Sequence, residues 1–221
     1  MYFSRLTLKA DADPRRLVSL SGYREHQALW QVFDPDPNAK RDFLFRREGI
    51  TNRLAFLVVS RRQPLFDQGL WRIESKDYRP KLSAGQRLAF KLRVNPTVTR
   101  NKESGQRARI DLVMDQKIQS GWQGQPAHKR APLQQLVQQA GEQWLEKRQE
   151  RLGITLDTLT ADGYRQHRSY KRGVSKPMLY SSCDLEGAIT VIDPDALRTA
   201  LYHGVGAAKA LGCGLLLIKP M

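Results

Sequence analysis

Cysteine is scarce in this chain, with two in 221 residues. Cys183 and Cys213 are widely separated, and neither they nor the four histidines show zinc-ligand spacing, so a disulfide framework and a structural zinc site are not expected. Long apolar runs are lacking too. Nothing approaches the ~20 residues a spanning helix needs, and Met1 to Leu6 has no extended apolar core of the secretory kind. A cytoplasmic protein with no membrane partner is the expectation. No Gly-Lys-Ser/Thr phosphate loop occurs, the serines form no nucleophile elbow, and no cofactor or metal is called for. Acidic residues are in deficit, 22 against 37 basic ones.

That deficit leaves a formal charge of +15. Neutralising phosphates releases condensed counterions, so such an excess favours a polyanionic partner. With 40% hydrophobic residues the chain can also bury a real core. Apolar alternation marks strands from Tyr2 to Leu8, Phe43 to Arg47, Leu54 to Ser60 and Leu88 to Val94, the last with one apolar and one cationic face. A helix is expected across Leu17 to Phe33, ended by Asp34-Pro35-Asp36-Pro37. Leu133, Leu136, Val137, Ala140, Trp144 and Leu145 recur at helical spacing. Further on come a strand near Leu185 to Ile192, a helix opened by Pro194 and a last strand, Leu215 to Ile218. The mixed order indicates two α+β units, 1–95 and 110–221, joined by a polar, basic connection or loop at 96–109.

Tyr23 and His26 stand at i and i+3, neighbours on one helix face. A histidine exchanges protons near neutrality, and a tyrosine hydroxyl can orient a reacting oxygen. RNA brings its own nucleophile, the 2′-hydroxyl, so the protein need only align it, move protons and stabilise the charged phosphorane. The spacing leaves a second reading open, since Leu29, Trp30 and Phe33 place His26 beside an apolar stripe where it would be structural.

Two further stretches point to RNA. Arg165, His167, Arg168, Lys171, Arg172 and Lys176, interleaved with Tyr164 and Tyr170, suit phosphate contact and base stacking, or else form a solvated charged face. Gly204, Gly206, Gly212 and Gly214 with Lys209 form either a backbone platform for RNA phosphates or a tight packing turn before the last strand. Arg100, Lys102, Arg107 and Arg109 read as a solvated loop.

These blocks together resemble the CasE-type CRISPR RNA-processing endoribonucleases of the RAMP superfamily. The resemblance rests on Tyr23-Arg24-Glu25-His26-Gln27-Ala28-Leu29-Trp30, Lys40-Arg41-Asp42-Phe43-Leu44-Phe45, Leu92-Arg93-Val94-Asn95-Pro96, Lys129-Arg130-Ala131-Pro132-Leu133, Leu185-Glu186-Gly187 and the glycine segment through Lys219-Pro220. It implies two tandem ferredoxin-like domains with an RNA-binding cleft and an antiviral-defence nuclease that works without metal. The implied reaction cuts the CRISPR repeat RNA at the base of its hairpin by 2′-hydroxyl attack, and the implied partners are that hairpin and the other Cascade subunits. The catalytic histidine and tyrosine fall on His26 and Tyr23, and the glycine-rich segment on Gly204 to Gly214. A non-catalytic subunit that only holds the hairpin would share the charge, the glycines and the fold.

Overall fold

In a computed structural model the described residues are 1–12, 23–33, 40–50, 53–101, 105–170 and 176–221. The strands are β1 (Tyr2–Leu8), β2 (Phe43–Ile50), β3 (Arg53–Ser60), β4 (Trp71–Asp77), β5 (Arg87–Val94), β6 (Thr97–Asn101), β7 (Arg107–Asp111), β8 (Ile154–Ser169), β9 (Met178–Val191) and β10 (Leu216–Pro220). The helices are α1 (Tyr23–Trp30), α2 (Leu112–Gln119), α3 (Leu133–Glu146), α4 (Gln149–Leu152) and α5 (Pro194–His203). Of the helix expected from Leu17, the part before Tyr23 lies outside the described residues, as does the Asp34-Pro35-Asp36-Pro37 stop.

The chain forms two compact units, each assembled from separated stretches of sequence. One comprises Met1–Lys81, Arg168–Met178 and Arg198–Leu215, the other Leu82–His167, Leu179–Leu197 and Leu216–Met221. The first sheet has the order β2-β3-β1-β4 and the second β10-β5-β9-β8. Counted among its own four strands, each sheet therefore runs fourth-first-third-second, the ferredoxin-like order, and the protein carries that α+β fold twice. β1 pairs antiparallel with β3 and β4, and β5 with β9 and β10, setting Leu6 opposite Phe56 and Ile73 in the first sheet and Leu92 opposite Leu185 and Leu216 in the second.

The domain limits differ from the sequence reading. β5, placed in the 1–95 domain, sits centrally in the second sheet between β9 and β10, because the ferredoxin order sets a unit's last strand beside its first. The expected connection at 96–109 is also corrected. Val98 pairs with Ile110 and Thr99 with Arg109 in the β6–β7 hairpin, and Arg100 donates to Asp115 of α2 at 2.6 Å. Lys102 lies outside the described residues.

The first core gathers Leu6 of β1, Leu29 of α1, Val32 and Phe33 just beyond it, Phe43 and Phe45 of β2, and Phe56 of β3. Each such side chain contributes about 1.5–3 kcal/mol on full burial. Residues 61–70 join β3 to β4 without a helix, and the amides of Leu65 and Phe66 donate to the carbonyl of Val32 at 2.9 and 3.1 Å. That loop is thereby fastened to the chain leaving α1. In the second unit Leu88, Phe90, Leu92 and Val94 are all buried, as their alternation requires. The cationic face of β5 is present but paired, with Arg87 on Asp157, Lys91 on Glu186 and Arg93 on Asp184. No helix among the described residues is long and apolar enough to cross a membrane.

Candidate active site

Helix α1 is short, and three contacts fix its position. Leu29 is fully buried in the core. Glu25, an acid in the first turn where the helix dipole favours negative charge, is buried and accepts from Arg47 of β2 at 2.7 Å. The amide of Tyr23, one of the orphan donors of a helix start, donates to Ser169 Oγ at 3.2 Å. Ser169 is the last residue of β8.

Around His26 the side chains form an aromatic box. Its ring centroid lies 5.8 Å from Tyr23, 5.9 Å from Trp30, 5.4 Å from Phe43 and 6.5 Å from Phe45. The ring is half-buried, and its Nδ1 is enclosed with no hydrogen-bond partner among the described residues. Burial pushes the imidazole pKa below its ordinary 6.5, and the positive charge of Arg41 pushes it further down. Both effects favour the neutral imidazole, the form able to accept a proton. The aromatic stripe holds the ring, and the same stripe lowers its proton affinity.

The glycine segment wraps edge strand β2. Successive strand residues point to opposite faces, and the segment touches both, with Gly204 against Leu44 and Gly212 against Phe45. A Cβ on Gly204 would lie 2.7 Å from Leu44 Cδ2 and 2.9 Å from the Gly214 carbonyl oxygen, and one on Gly214 would lie 2.7 Å from the Val205 carbonyl oxygen. Both glycines also have positive φ, +75° and +87°. The Val205 amide donates to the Gly214 carbonyl at 2.9 Å, closing the loop on itself. Packing thus accounts for Gly204, Gly212 and Gly214. Lys209 donates to the His203 carbonyl at 2.7 Å, so its ammonium braces the end of α5, and the Lys209–Leu211 turn lies against α1 and β2.

The first unit thus holds Tyr23, His26, the glycine segment with Gly206 and Lys209, and exposed Arg168 and Lys176. Arg165 belongs to the second unit, and Lys171 and Arg172 lie outside the described residues. His167 is a structural histidine, stacked 4.5 Å from Tyr180 with Nε2 2.8 Å from Ser182 Oγ. Sequence reasoning missed Ser169, Glu25 and Arg41. Of these only Glu25 had a local signal, as an acid in the first turn of a helix.

With this geometry in place, the kinship of the chain is direct. Residues 1–220 match the family described as CRISPR associated protein, and the chain belongs to that family. It is 28% identical over 223 residues to the CRISPR system Cascade subunit CasE of Escherichia coli (strain K12), covering 100% of both chains. It is likewise 28% identical over 230 residues, 100% of both, to the CRISPR-associated endoribonuclease Cse3 of Thermus thermophilus. The structure of CRISPR endoribonuclease Cse3 bound to 19 nt RNA matches it over 100% of both chains, with a TM-score of 0.71 at 25% identity.

Proposed function

We propose that this protein is the endoribonuclease that cuts CRISPR repeat RNA into guide RNA, acting in the cytoplasm without metal and in company with other Cascade subunits. The observation that carries the reading is the aromatic-boxed His26 beside Tyr23 in a chain of this family.

The substrate's 2′-hydroxyl attacks the adjacent phosphorus at the base of the repeat hairpin. A bond from the 2′-oxygen to phosphorus forms and the bond to the 5′-oxygen breaks, leaving a cyclic phosphate and a 5′-hydroxyl. His26 transfers one of the two protons in play, and Tyr23 orients the 2′-hydroxyl or the phosphate. Because the nucleophile is part of the substrate, no metal-bound water has to be generated. Arg165, Arg168, Lys171, Arg172 and Lys176 supply phosphate contacts, and the backbone of Gly204 to Gly214 with Lys209 lines the RNA beside α1.

The test is cleavage of a cognate repeat hairpin in excess EDTA. Wild type cuts, whereas His26→Ala loses about 10²- to 10⁴-fold in rate with hairpin affinity kept. A hairpin with deoxyribose at the cleavage site stays intact. Tight binding without cutting by wild type would instead identify a hairpin-holding subunit.

A further inference from the structure

A histidine and a tyrosine do not complete this chemistry. The phosphorane carries more negative charge than the phosphate it comes from, and a fixed cation at its non-bridging oxygens is the most effective way to stabilise it. Four cations near α1 are committed. Arg47 is held by Glu25, Arg46 by Glu48 and Arg62 by Asp42, while the Lys209 ammonium donates to a backbone carbonyl.

Arg41 differs from them. It is exposed and has no carboxylate partner among the described residues. Its place in the backbone is nevertheless well fixed. The next residue, Asp42, takes two hydrogen bonds of 2.9 Å from the Arg62 guanidinium, and its carbonyl accepts from the Arg61 amide at 3.2 Å. Arg62 in turn lies over the rings of Trp30 and Phe33 at 5.5 and 5.2 Å. One residue further, Phe43 stacks on His26. The segment that carries Arg41 is thus clamped to the wall of the histidine box.

We propose that Arg41 is a catalytic residue, its guanidinium gripping the non-bridging oxygens of the scissile phosphate beside His26. The proposal rests on His26 being the proton-transfer group. The guanidinium fork matches two phosphate oxygens at once, and the residue changes neither bond nor protonation state during the reaction. Arg41 stands two residues before Phe43, whose ring lies 5.4 Å from His26, and its positive charge already disfavours the charged imidazole in the free protein. Among the described residues, the rings facing the imidazole are Tyr23 and Trp30 from its own helix and Phe43 and Phe45 from β2, and of these with Arg41 only Tyr23 and Arg41 are ionisable. When phosphate neutralises Arg41, the imidazole is freed to hold the proton it has taken.

The experiment uses the full chain in excess over cognate repeat hairpin, comparing wild type, R41Q, R41K and H26A. R41Q is expected to lose about 10²- to 10³-fold in cleavage rate with hairpin Kd changed only a few-fold, and R41K to recover part of the loss. Sulfur at one non-bridging oxygen of the scissile phosphate should slow wild type and have a much smaller effect on R41Q. In the free protein, NMR titration should show the His26 pKa rising in R41Q and staying near wild type in R41K. Wild-type cleavage by R41Q, a loss confined to Kd, or an undiminished sulfur effect would overturn the proposal while leaving His26 in place. Wild-type cleavage by H26A would remove the underlying reading instead. Should R41Q fail to fold, R41K decides, since a bidentate grip predicts a measurable rate loss there and a wild-type rate refutes it.

Discussion

The imidazole of His26 and the ring of Phe43 lie 5.4 Å apart and 25° from parallel. One comes from α1 and the other from edge strand β2, so helix-on-sheet packing orients the histidine where many sites use a hydrogen-bonded carboxylate. An aromatic wall fixes the ring and also removes water from around it, which disfavours the charged form. Orientation and proton affinity are therefore set by the same side chains.

Tyr23→Phe separates the hydroxyl from the ring. The phenyl group preserves the packing 5.8 Å from His26, so thermal stability should stay close to wild type. Loss of one hydrogen bond to a developing charge costs about 1.5–3 kcal/mol, which is roughly 10- to 100-fold in rate. Single-turnover cleavage alongside a melting curve checks both halves.

Acid should weaken the fold through His26. Its folded-state pKa lies below the ordinary 6.5, because of burial first and Arg41 second. Once the pH falls below about 6.5, the unfolded chain binds the proton more readily than the folded one, so stability rises with pH through that window and is lost toward acid. His167 is shifted the same way by burial and by Arg93 and Arg165, and adds to the effect. Denaturant melts from pH 7 down to 5 should show this slope, and His26→Asn should flatten it; an unchanged slope would contradict the assignment.

Glycine at 204 is a steric requirement. Gly204→Ala places a methyl against Leu44 and the Gly214 carbonyl at φ +75°, and should cost about 1–3 kcal/mol. Gly49 of β2 has nothing within 4 Å of the corresponding position, so Gly49→Ala should be neutral or stabilising by up to about 1 kcal/mol. Urea unfolding of the two variants gives the comparison, and equal effects would refute it.

Basic residues should divide by whether they are already paired. Arg168 and Lys176 are exposed without a carboxylate partner among the described residues, so replacing either with alanine should flatten the salt dependence of hairpin binding by about one in log–log slope. Lys91 sits 3.0 Å from Glu186, and Lys91→Ala should change that slope far less. Anisotropy titrations across a salt series would distinguish the two groups.

What could be read from the letters followed the strength of each local pattern. β5 was legible because Leu88, Phe90, Leu92 and Val94 bury one face completely, and α3 because its apolar residues recur at helical spacing. β8 was not, since it is an edge strand exposed along much of both faces and carries no clean alternation. The β6–β7 hairpin escaped notice for a similar reason, as Arg100, Arg107 and Arg109 resemble loop residues when their strand partner is unknown. At the candidate site, helical spacing put Tyr23 and His26 on one face and the family resemblance singled them out. Ser169 and Arg41 act on α1 from other elements, one by a hydrogen bond and the other by its charge, and have no local signature.

The interleaving of the two units has a consequence for how the protein is made. On the ribosome, residues 1–81 emerge long before Gly204 and Gly212, which complete the edge of β2, and β5 waits for β10. The first sheet and its core are made entirely from residues before Lys81. The glycine segment against β2 and the strand β10 beside β5, however, are among the last parts of the chain to be synthesised, so a nascent chain stalled before residue 204 carries a bare β2 edge and an incomplete second sheet.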